Sequence, residues 1–319
     1  MDNLYVHFPF CRRKCSYCAL YSRAGSTSVE RDEYVRSLVD ACRGEYKTVY
    51  FGGGSPGLCD LGALLEVVRG NEFTVELHPL DVSVELLRKL RDGGVNRISM
   101  GVQSLDDAIL AHMGRGYGFV EAEKAFGLVR EFFDNAGIDL IVGYPGEKAA
   151  LTPRHARLAR WGLRHCSVYL LQNERHLANV VDDETALDRL GVMARFLDEI
   201  GLKRYEISNY AVPGYECRHN LAVWRGEDYR GVGKGACGRE GLLRTRSGRA
   251  ETVSAAFDEK ERRLFRLRTR EGLDATGHEE WRGTLENFER AGLLRRKGSI
   301  YTLTDRGMEV CDSILAELA

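Results

Sequence analysis

Short strand-like runs of apolar and β-branched residues alternate with amphipathic, helix-like segments over the first 200 residues. This alternation predicts parallel strands joined by helices, which is an α/β fold. Six strand–helix units fall short of the eight in a complete TIM barrel, so we expect a partial (β/α)6 barrel with functional residues at the carboxyl ends of its strands. The predicted strands are 4–8, 48–51, 73–77, 97–101, 138–142 and 167–171, and the predicted helices are 31–42, 61–69, 84–92, 119–132, 153–162 and 184–200.

The pattern changes near residue 256, where helices accompany a single hairpin. Helices are predicted at 257–268 and 281–291, a hairpin at 293–303, and a last helix at 305–318 capped by Thr304. These elements are typical of a winged-helix-like α+β module, which often binds DNA. This region contains 12 Lys and Arg and 13 Asp and Glu, so its charges nearly balance. We therefore expect packing or partner docking rather than nucleic-acid binding. The predicted division is a partial barrel at 1–200, a connecting extension at 201–255 and this module at 256–319.

Overall charge and apolar content exclude several classes of protein. The 319 residues carry a formal net charge of −1, so no global field favours nucleic acid or an anionic membrane. No apolar run is long enough for a transmembrane segment. The first predicted strand begins at residue 4, which leaves no room for a signal peptide, and we expect a cytoplasmic location. The nine cysteines are an odd number and argue against a disulfide framework.

Three closely spaced cysteines, Cys11, Cys15 and Cys18, directly follow the first predicted strand. Three thiolates can hold three irons of a [4Fe–4S] cluster and leave the fourth iron open for another ligand. Two other interpretations stay open: a zinc site that uses a fourth ligand such as His7, or a spacing that arose by coincidence. The C-x3-C-x2-C spacing, with an aromatic residue before the third cysteine, resembles that of radical S-adenosylmethionine (SAM) proteins, whose free iron binds SAM.

Polar and glycine residues at the ends of later strands are further candidates. Three glycines before Ser55 would let the backbone approach a ligand closely, although a plain loop explains them equally well. Glu76 can accept hydrogen bonds from ribose hydroxyls, or it is a solvated charge. A carboxylate within the apolar strand around Asp139 is costly unless it is hydrogen-bonded, which favours a functional role. Gln103 offers a donor and an acceptor, and Arg115 offers a fork for a carboxylate or a structural ion pair.

The whole chain resembles the radical SAM group that contains oxygen-independent coproporphyrinogen III oxidase and heme chaperones, the HemN/HemW group. The resemblance implies that Cys11, Cys15 and Cys18 hold the cluster, and that Tyr5, Gly53, Gly54, Ser55, Glu76, Gln103, Arg115 and Asp139 contact SAM. The motifs that carry it are Tyr5-Val-His-Phe-Pro-Phe-Cys11, Phe51-Gly-Gly-Gly-Ser-Pro56, Asn96-Arg-Ile-Ser-Met-Gly-Val-Gln-Ser104, Asp139-Leu-Ile-Val-Gly143, Tyr205-Glu-Ile-Ser-Asn209 and His219-Asn220.

Two departures from the oxidase favour the heme chaperone side of the group. The oxidase has a fourth cysteine where this chain has Leu20, and it has a long N-terminal extension that is missing here. The resemblance then implies a protein that binds a cluster and SAM, holds heme and passes it to acceptor proteins. Cys237 stands where a histidine is common, so it is a candidate thiolate ligand of heme. His219 is a second candidate for heme or substrate, although a lone histidine is more often structural.

A radical SAM enzyme is the alternative function. It would cleave SAM to a 5′-deoxyadenosyl radical and decarboxylate or methylate a tetrapyrrole. The missing fourth cysteine and extension argue against oxidase activity.

Overall fold

The computed structural model describes residues 1–172 and 177–319, and it contains the predicted alternation of strands and helices. All six predicted strands are confirmed, most of them one to five residues longer because pairing extends beyond the apolar run. Their bounds are β1 Asn3–Phe8, β2 Gly44–Gly53, β3 Val68–Leu77, β4 Arg97–Gln103, β5 Asn135–Val142 and β6 His165–Leu170.

The six predicted helices of this region are also present, together with one that was not predicted. The unpredicted helix is α4, whose first turn is capped by the Asp106 carboxylate, which accepts from the Ala108 and Ile109 N–H groups. The helices are α1 Ser28–Cys42, α2 Gly62–Val67, α3 Val84–Asp92, α4 Asp107–Met113, α5 Phe119–Phe132, α6 Pro153–Leu158 and α7 Asp183–Glu199.

Strands β1 to β6 lie side by side in chain order, and every pair is parallel. Two short antiparallel strands, β7 Lys203–Arg204 and β8 Asn209–Ala211, extend the sheet beyond β6. At the opposite edge β9 Arg230–Val232 pairs in parallel with β1. The extension at 201–255 therefore contributes three strands to the barrel sheet, while the predicted division at residue 200 stays a prediction.

The two faces of the sheet differ in polarity, since successive side chains of a strand point to opposite faces. On β1, Leu4, Val6 and Phe8 belong to the apolar core beneath the helices. The alternate residues Tyr5 and His7 face the inside of the partial barrel, which is lined by polar side chains on every strand. These include Thr48, Tyr50, Glu72, Glu76, Arg97, Ser99, Asp139, His165 and Ser167.

A short helix, α8 Arg218–Trp224, closes the end of the barrel at the amino ends of the strands. The Glu72 carboxylate accepts hydrogen bonds from the backbone N–H groups of Arg218 (2.9 Å) and His219 (3.0 Å). The His219 ring nitrogen Nδ1 is hydrogen-bonded to the Thr48 hydroxyl at 2.8 Å. The inside of the barrel is therefore accessible from its other end, where the carboxyl ends of the strands lie.

The C-terminal region has a core of its own around Leu264, Trp281 and Leu285. The predicted single helix at 305–318 is wrong: it is two helices that meet at Val310, whose φ of −117° is not helical. The first of these helices packs closely against the backbone at Leu293, since a Cβ at Gly307 would lie 2.0 Å from the Leu293 carbonyl oxygen. The elements are β10 Cys237–Glu240, β11 Leu243–Arg246, β12 Arg249–Thr252, α9 Ala255–Arg266, β13 Leu273–Asp274, α10 Arg282–Arg290, β14 Leu294–Lys297, β15 Ile300–Leu303, α11 Asp305–Glu309 and α12 Cys311–Leu318.

The last 64 residues form a winged-helix-like α+β module, in which helices pack beside the antiparallel sheet β13–β15–β14. The Thr304 hydroxyl accepts from the Gly307 N–H at 3.1 Å, which confirms the predicted cap. Within the described residues, the helices are too short or too polar to cross a membrane.

Candidate functional site

The three cysteines lie on the loop between β1 and α1, at the carboxyl end of the first strand. Their thiols are free and half-buried. The loop is fixed at Ser16, whose N–H donates to the Met113 carbonyl (3.2 Å) and whose hydroxyl is bonded to the Tyr144 hydroxyl (2.9 Å). Burial raises the pKa of Cys11, and the neighbouring Cys15 and Cys18 thiols raise it further, so the three sulfurs lie within electrostatic reach of one another.

His7 does not serve as a fourth ligand beside these thiols. Its Nδ1 is bonded to the Tyr5 hydroxyl at 3.0 Å and its Nε2 to the Tyr21 carbonyl at 2.8 Å, so both ring nitrogens are engaged. No three His, Cys, Asp or Glu side chains in the described parts of the chain converge on one ion. In a [4Fe–4S] cluster each thiolate binds a different iron, so the three thiols need not converge on one ion. Three thiols without His7 therefore fit such a cluster better than the zinc interpretation.

Arg115 connects the cysteine loop to the end of β4. Its guanidinium donates to the Cys15 sulfur at 3.4 Å, to the Gly101 carbonyl at 2.6 Å and to the Tyr117 hydroxyl at 3.0 Å. These contacts tie the cysteine loop to the end of β4.

The strand end beside Arg115 is irregular. A bulge shifts the register between Gly101 and Gln103, and Gln103 has a φ of 69°, which is rare for a residue with a side chain. Bulges and positive φ values occur at functional sites because they re-aim a side chain. The geometry supports Gln103 as a site residue.

The glycine loop after β2 packs along the backbone that leads to the cysteines. The Gly54 N–H donates to the Phe8 carbonyl and the Ser55 N–H to the Phe10 carbonyl, both at 2.7 Å. Gly53 has a φ of 107°, and a Cβ there would lie 2.6 Å from the His7 ring. The Ser55 hydroxyl is buried and donates to Asp81, so the structure places its side chain in the support of the loop.

Glu76 and Asp139 face each other inside the barrel. The Glu76 carboxylate accepts from the Tyr50 hydroxyl (2.8 Å) and the Gly53 N–H (3.1 Å), and Asp139 accepts from the Ser99 hydroxyl (3.0 Å). Burial, and then the charge of Asp139, raise the pKa of Glu76 to about 7. Burial likewise raises the pKa of Asp139. Two half-buried carboxylates that repel each other attract a cationic ligand and donors such as ribose hydroxyls.

Cys237 lies beside these residues, whereas His219 lies below them. Burial raises the pKa of Tyr5, and the charges of Glu76 and Cys237 add to this rise, so both groups lie within electrostatic reach of Tyr5. Gly231 pairs with Tyr5, and a Cβ at Gly231 would lie 2.0 Å from the Cys237 carbonyl oxygen. Cys237 is exposed. His219 is only 4% exposed in the barrel floor, and burial together with Arg97 lowers its pKa to about 3.

Sequence reasoning missed residues that hold the candidates in place. Asp81 anchors both Ser55 and Arg12, Tyr50 orients Glu76 and Tyr117 orients Arg115. Tyr50 had a usable signal, because it lies at the alternate, inward position of a strand whose neighbours Val49 and Phe51 are apolar.

Comparisons with known proteins identify the fold and the family of this chain. The partial parallel barrel with three thiols after its first strand is the architecture of a radical SAM protein, and the family model described as the Radical SAM superfamily matches residues 5–159. The fold is similar to that of coproporphyrinogen III oxidase (HemN) from Escherichia coli, with a TM-score of 0.82 and 20% identity over 99% of this chain and 89% of that one.

Curated relatives identify one family within the radical SAM proteins. The chain is 34% identical over 263 residues to the "Heme chaperone HemW" of Escherichia coli (74% of this chain, 70% of that one). It is 31% identical over 265 residues to that of Lactococcus lactis (74% and 69%). It is 30% identical to that of Mycobacterium tuberculosis over an alignment that covers 99% of this chain and 94% of the relative. The chain therefore belongs to the HemW family of radical SAM proteins.

Proposed function

We propose that this protein is a heme chaperone that binds a [4Fe–4S] cluster and SAM, holds heme and delivers it to acceptor proteins. The observation that carries the proposal is the three-thiol loop beside Glu76 and Asp139 in a chain of the HemW family. Relatives named heme chaperones support the heme part of the proposal. The nine free thiols suit the cytoplasm, where thiols stay reduced.

Different residues would bind the [4Fe–4S] cluster and SAM. Cys11, Cys15 and Cys18 would supply three thiolates to the cluster, which when bound leaves one iron for the amino and carboxylate groups of SAM. The backbone of the glycine loop, Gly53 and Gly54, would lie along SAM, with Ser55 holding that loop through Asp81. The remaining SAM contacts would be Tyr5, Glu76, Gln103 and Asp139, which lie on strands β1, β3, β4 and β5, and Arg115, which follows α4.

Cys237 is the better supported of the two heme ligand candidates. It is exposed and within electrostatic reach of Tyr5, whereas His219 is buried in the floor and hydrogen-bonded to Thr48. If Cys237 ligates heme iron as a thiolate, Cys237→Ala should lower hemin affinity at least tenfold and remove the thiolate features of the heme spectrum. Unchanged affinity would exclude this ligand.

The second candidate function is a radical SAM enzyme acting on a tetrapyrrole, which the fold similarity to HemN favours. At the position of the oxidase's fourth cysteine this chain has Leu20, which is 55% exposed. An anaerobic assay with reconstituted protein, SAM, reductant and coproporphyrinogen III separates the two functions. We expect no decarboxylated porphyrin, and 5′-deoxyadenosine formed in proportion to such a product would establish the enzyme instead.

A further inference from the structure

One face of the sheet β10–β11–β12 carries two neighbouring rows of side chains. Directly opposite residues of antiparallel strands share a face, and so do residues two apart on one strand. Both rows therefore lie on the same face of this sheet. The first row is Arg239, Arg244 and Glu251, and the second row is Cys237, Arg246 and Arg249.

Within the described residues, the arginines of the first row have acidic partners, whereas those of the second row do not. Helix α9 supplies acids to the first row, where Arg239 pairs with Glu261 and Arg244 pairs with both Asp258 and Glu261. In residues 1–172 and 177–319, no acidic side chain forms an ion pair with Arg246 or Arg249. Like charges placed directly opposite destabilise a hairpin, so this arginine pair has a local cost that the fold does not offset.

The turn between these two arginines forms one wall of a cleft. Ser247 and Gly248 have φ values of 51° and 80°, as in the tight two-residue turns that match the twist of a hairpin. The cleft has a volume of about 610 Å³, and its other walls include Tyr21 of the cysteine loop, Tyr34 of α1 and Lys234. This volume lies within the range of small-molecule sites, roughly 300–1,000 Å³.

The loop that carries Lys234 is held in one conformation. The Lys234 N–H donates to the Tyr34 hydroxyl at 2.9 Å. The preceding Gly233 has a φ of 99°, and a Cβ there would lie 2.5 Å from the Tyr34 hydroxyl and 2.6 Å from the His7 carbonyl oxygen. Among the described residues, the Lys234 ammonium has no hydrogen-bond or ion-pair partner. Lys234 is therefore an uncompensated cation in the lining of this cleft, and Arg246 and Arg249 flank the turn that forms one of its walls.

We propose that this cleft binds the carboxylate side chains of a tetrapyrrole, an inference that rests on the proposed function and names its binding site. Lys234, Arg246 and Arg249 pair with the carboxylates, and the aromatic faces of Tyr21 and Tyr34 contact the flat ring. Tyr21 is 55% exposed and lies three residues after Cys18. The His7 ring bonds both the Tyr21 carbonyl and the Tyr5 hydroxyl, so the cleft adjoins the proposed SAM site.

The test measures the binding of three probes to the reconstituted full-length protein. The probes are hemin, hemin dimethyl ester, whose carboxylates are blocked, and coproporphyrin III, which has four carboxylates and no metal. They are titrated into wild type, Arg246→Gln/Arg249→Gln and Lys234→Gln. Arg295→Gln/Lys297→Gln, on the exposed hairpin β14–β15, is the matched control for loss of two positive charges.

We expect the cleft variants to lower hemin affinity about tenfold and to leave the weaker binding of the dimethyl ester unchanged, while the control matches wild type. Arg246→Gln/Arg249→Gln should also leave the melting temperature of the apo protein equal or higher, because a repulsive pair is removed. Equal hemin affinity in wild type and the cleft variants would overturn the proposal.

The same titrations test the proposed cleft and the proposed heme chaperone function independently. Binding of coproporphyrin III but not hemin, with the binding lost in the cleft variants, would uphold the cleft and contradict the heme chaperone. Failure of all three probes to bind wild type would contradict both proposals.

Discussion

At the residue scale, the candidate site depends on side chains whose partners come from distant parts of the chain. The cysteine spacing was readable because it is local, whereas the contact of Arg115 with Cys15 spans 100 positions and appears only in the folded chain. The same is true of Asp81, which supports Ser55 from 26 positions away. Sequence patterns identify side chains that can bind ligands or take part in chemistry, but they do not show which other residues hold those side chains in place.

Removal of one cluster cysteine tests the metal centre. We expect Cys15→Ala to lose bound iron and the brown colour after anaerobic reconstitution, because two thiolates do not anchor a cluster that uses three. Cys237→Ala, which removes an exposed thiol elsewhere, should keep the wild-type iron content. Full iron binding by Cys15→Ala would refute this ligand assignment.

We expect Glu76 to lower the stability of the apo protein and to contribute to SAM binding. Its pKa is raised from 4.5 to about 7 in the folded protein, so the folded state binds this proton more tightly than the unfolded chain. The free energy of unfolding contributed by Glu76 therefore falls as pH rises between these values, by up to about 3 kcal/mol. Glu76→Gln should make the apo protein melt at a higher temperature at pH 8 but not at pH 4.5, and weaken SAM binding about tenfold.

The control for Glu76 is Glu45→Gln, an exposed glutamate on β2. Calorimetry of the apo variants at both pH values measures the stability, and equilibrium dialysis measures SAM. A Glu76→Gln variant that binds SAM as well as wild type would remove Glu76 from the site.

At the element scale, what could be predicted depends on the length and periodicity of each element. Strands β1 to β6 have apolar runs and were found from sequence. Helices of six or seven residues are too short for a dependable periodic pattern: α2 and α6 were predicted, but α4 was missed. Strands β7 and β8 have two and three residues and form only because β6 offers a free edge. The break at Val310 arises where Gly307 is pressed against Leu293, which is tertiary packing rather than local propensity.

The plug formed by α8 gives a prediction at this scale. Glu72 is 5% exposed, accepts two N–H groups of α8 and lies near the buried Arg97. Glu72→Ala leaves these donors without an acceptor and removes a negative charge near a buried cation, so we expect a loss of about 3 kcal/mol in the free energy of unfolding. Urea unfolding measures this loss. Glu45→Ala should change stability little, and an equal effect of both variants would refute the plug.

At the scale of the whole molecule, the partial barrel is closed at one end and open at the other. Helix α8 seals the amino ends of the strands, and the three thiols and Glu76 lie toward the opposite end. The fold class followed from the alternation of elements, but the closed floor did not, because it depends on one carboxylate meeting one short helix. This arrangement puts both proposed cofactors and the proposed heme cleft on one side of the protein, where an acceptor protein can reach them.

Heme delivery itself is the most direct test of the chaperone proposal. Reconstituted protein loaded with ⁵⁵Fe-labelled hemin is incubated with membranes that carry heme-depleted respiratory enzymes, and labelled heme in those enzymes is counted. We expect transfer from the loaded protein that restores their activity, with less transfer from Cys15→Ala. If free hemin restores the same membranes while the loaded protein transfers nothing, the protein is not a heme chaperone for these acceptors, and the enzymatic alternative becomes the better proposal.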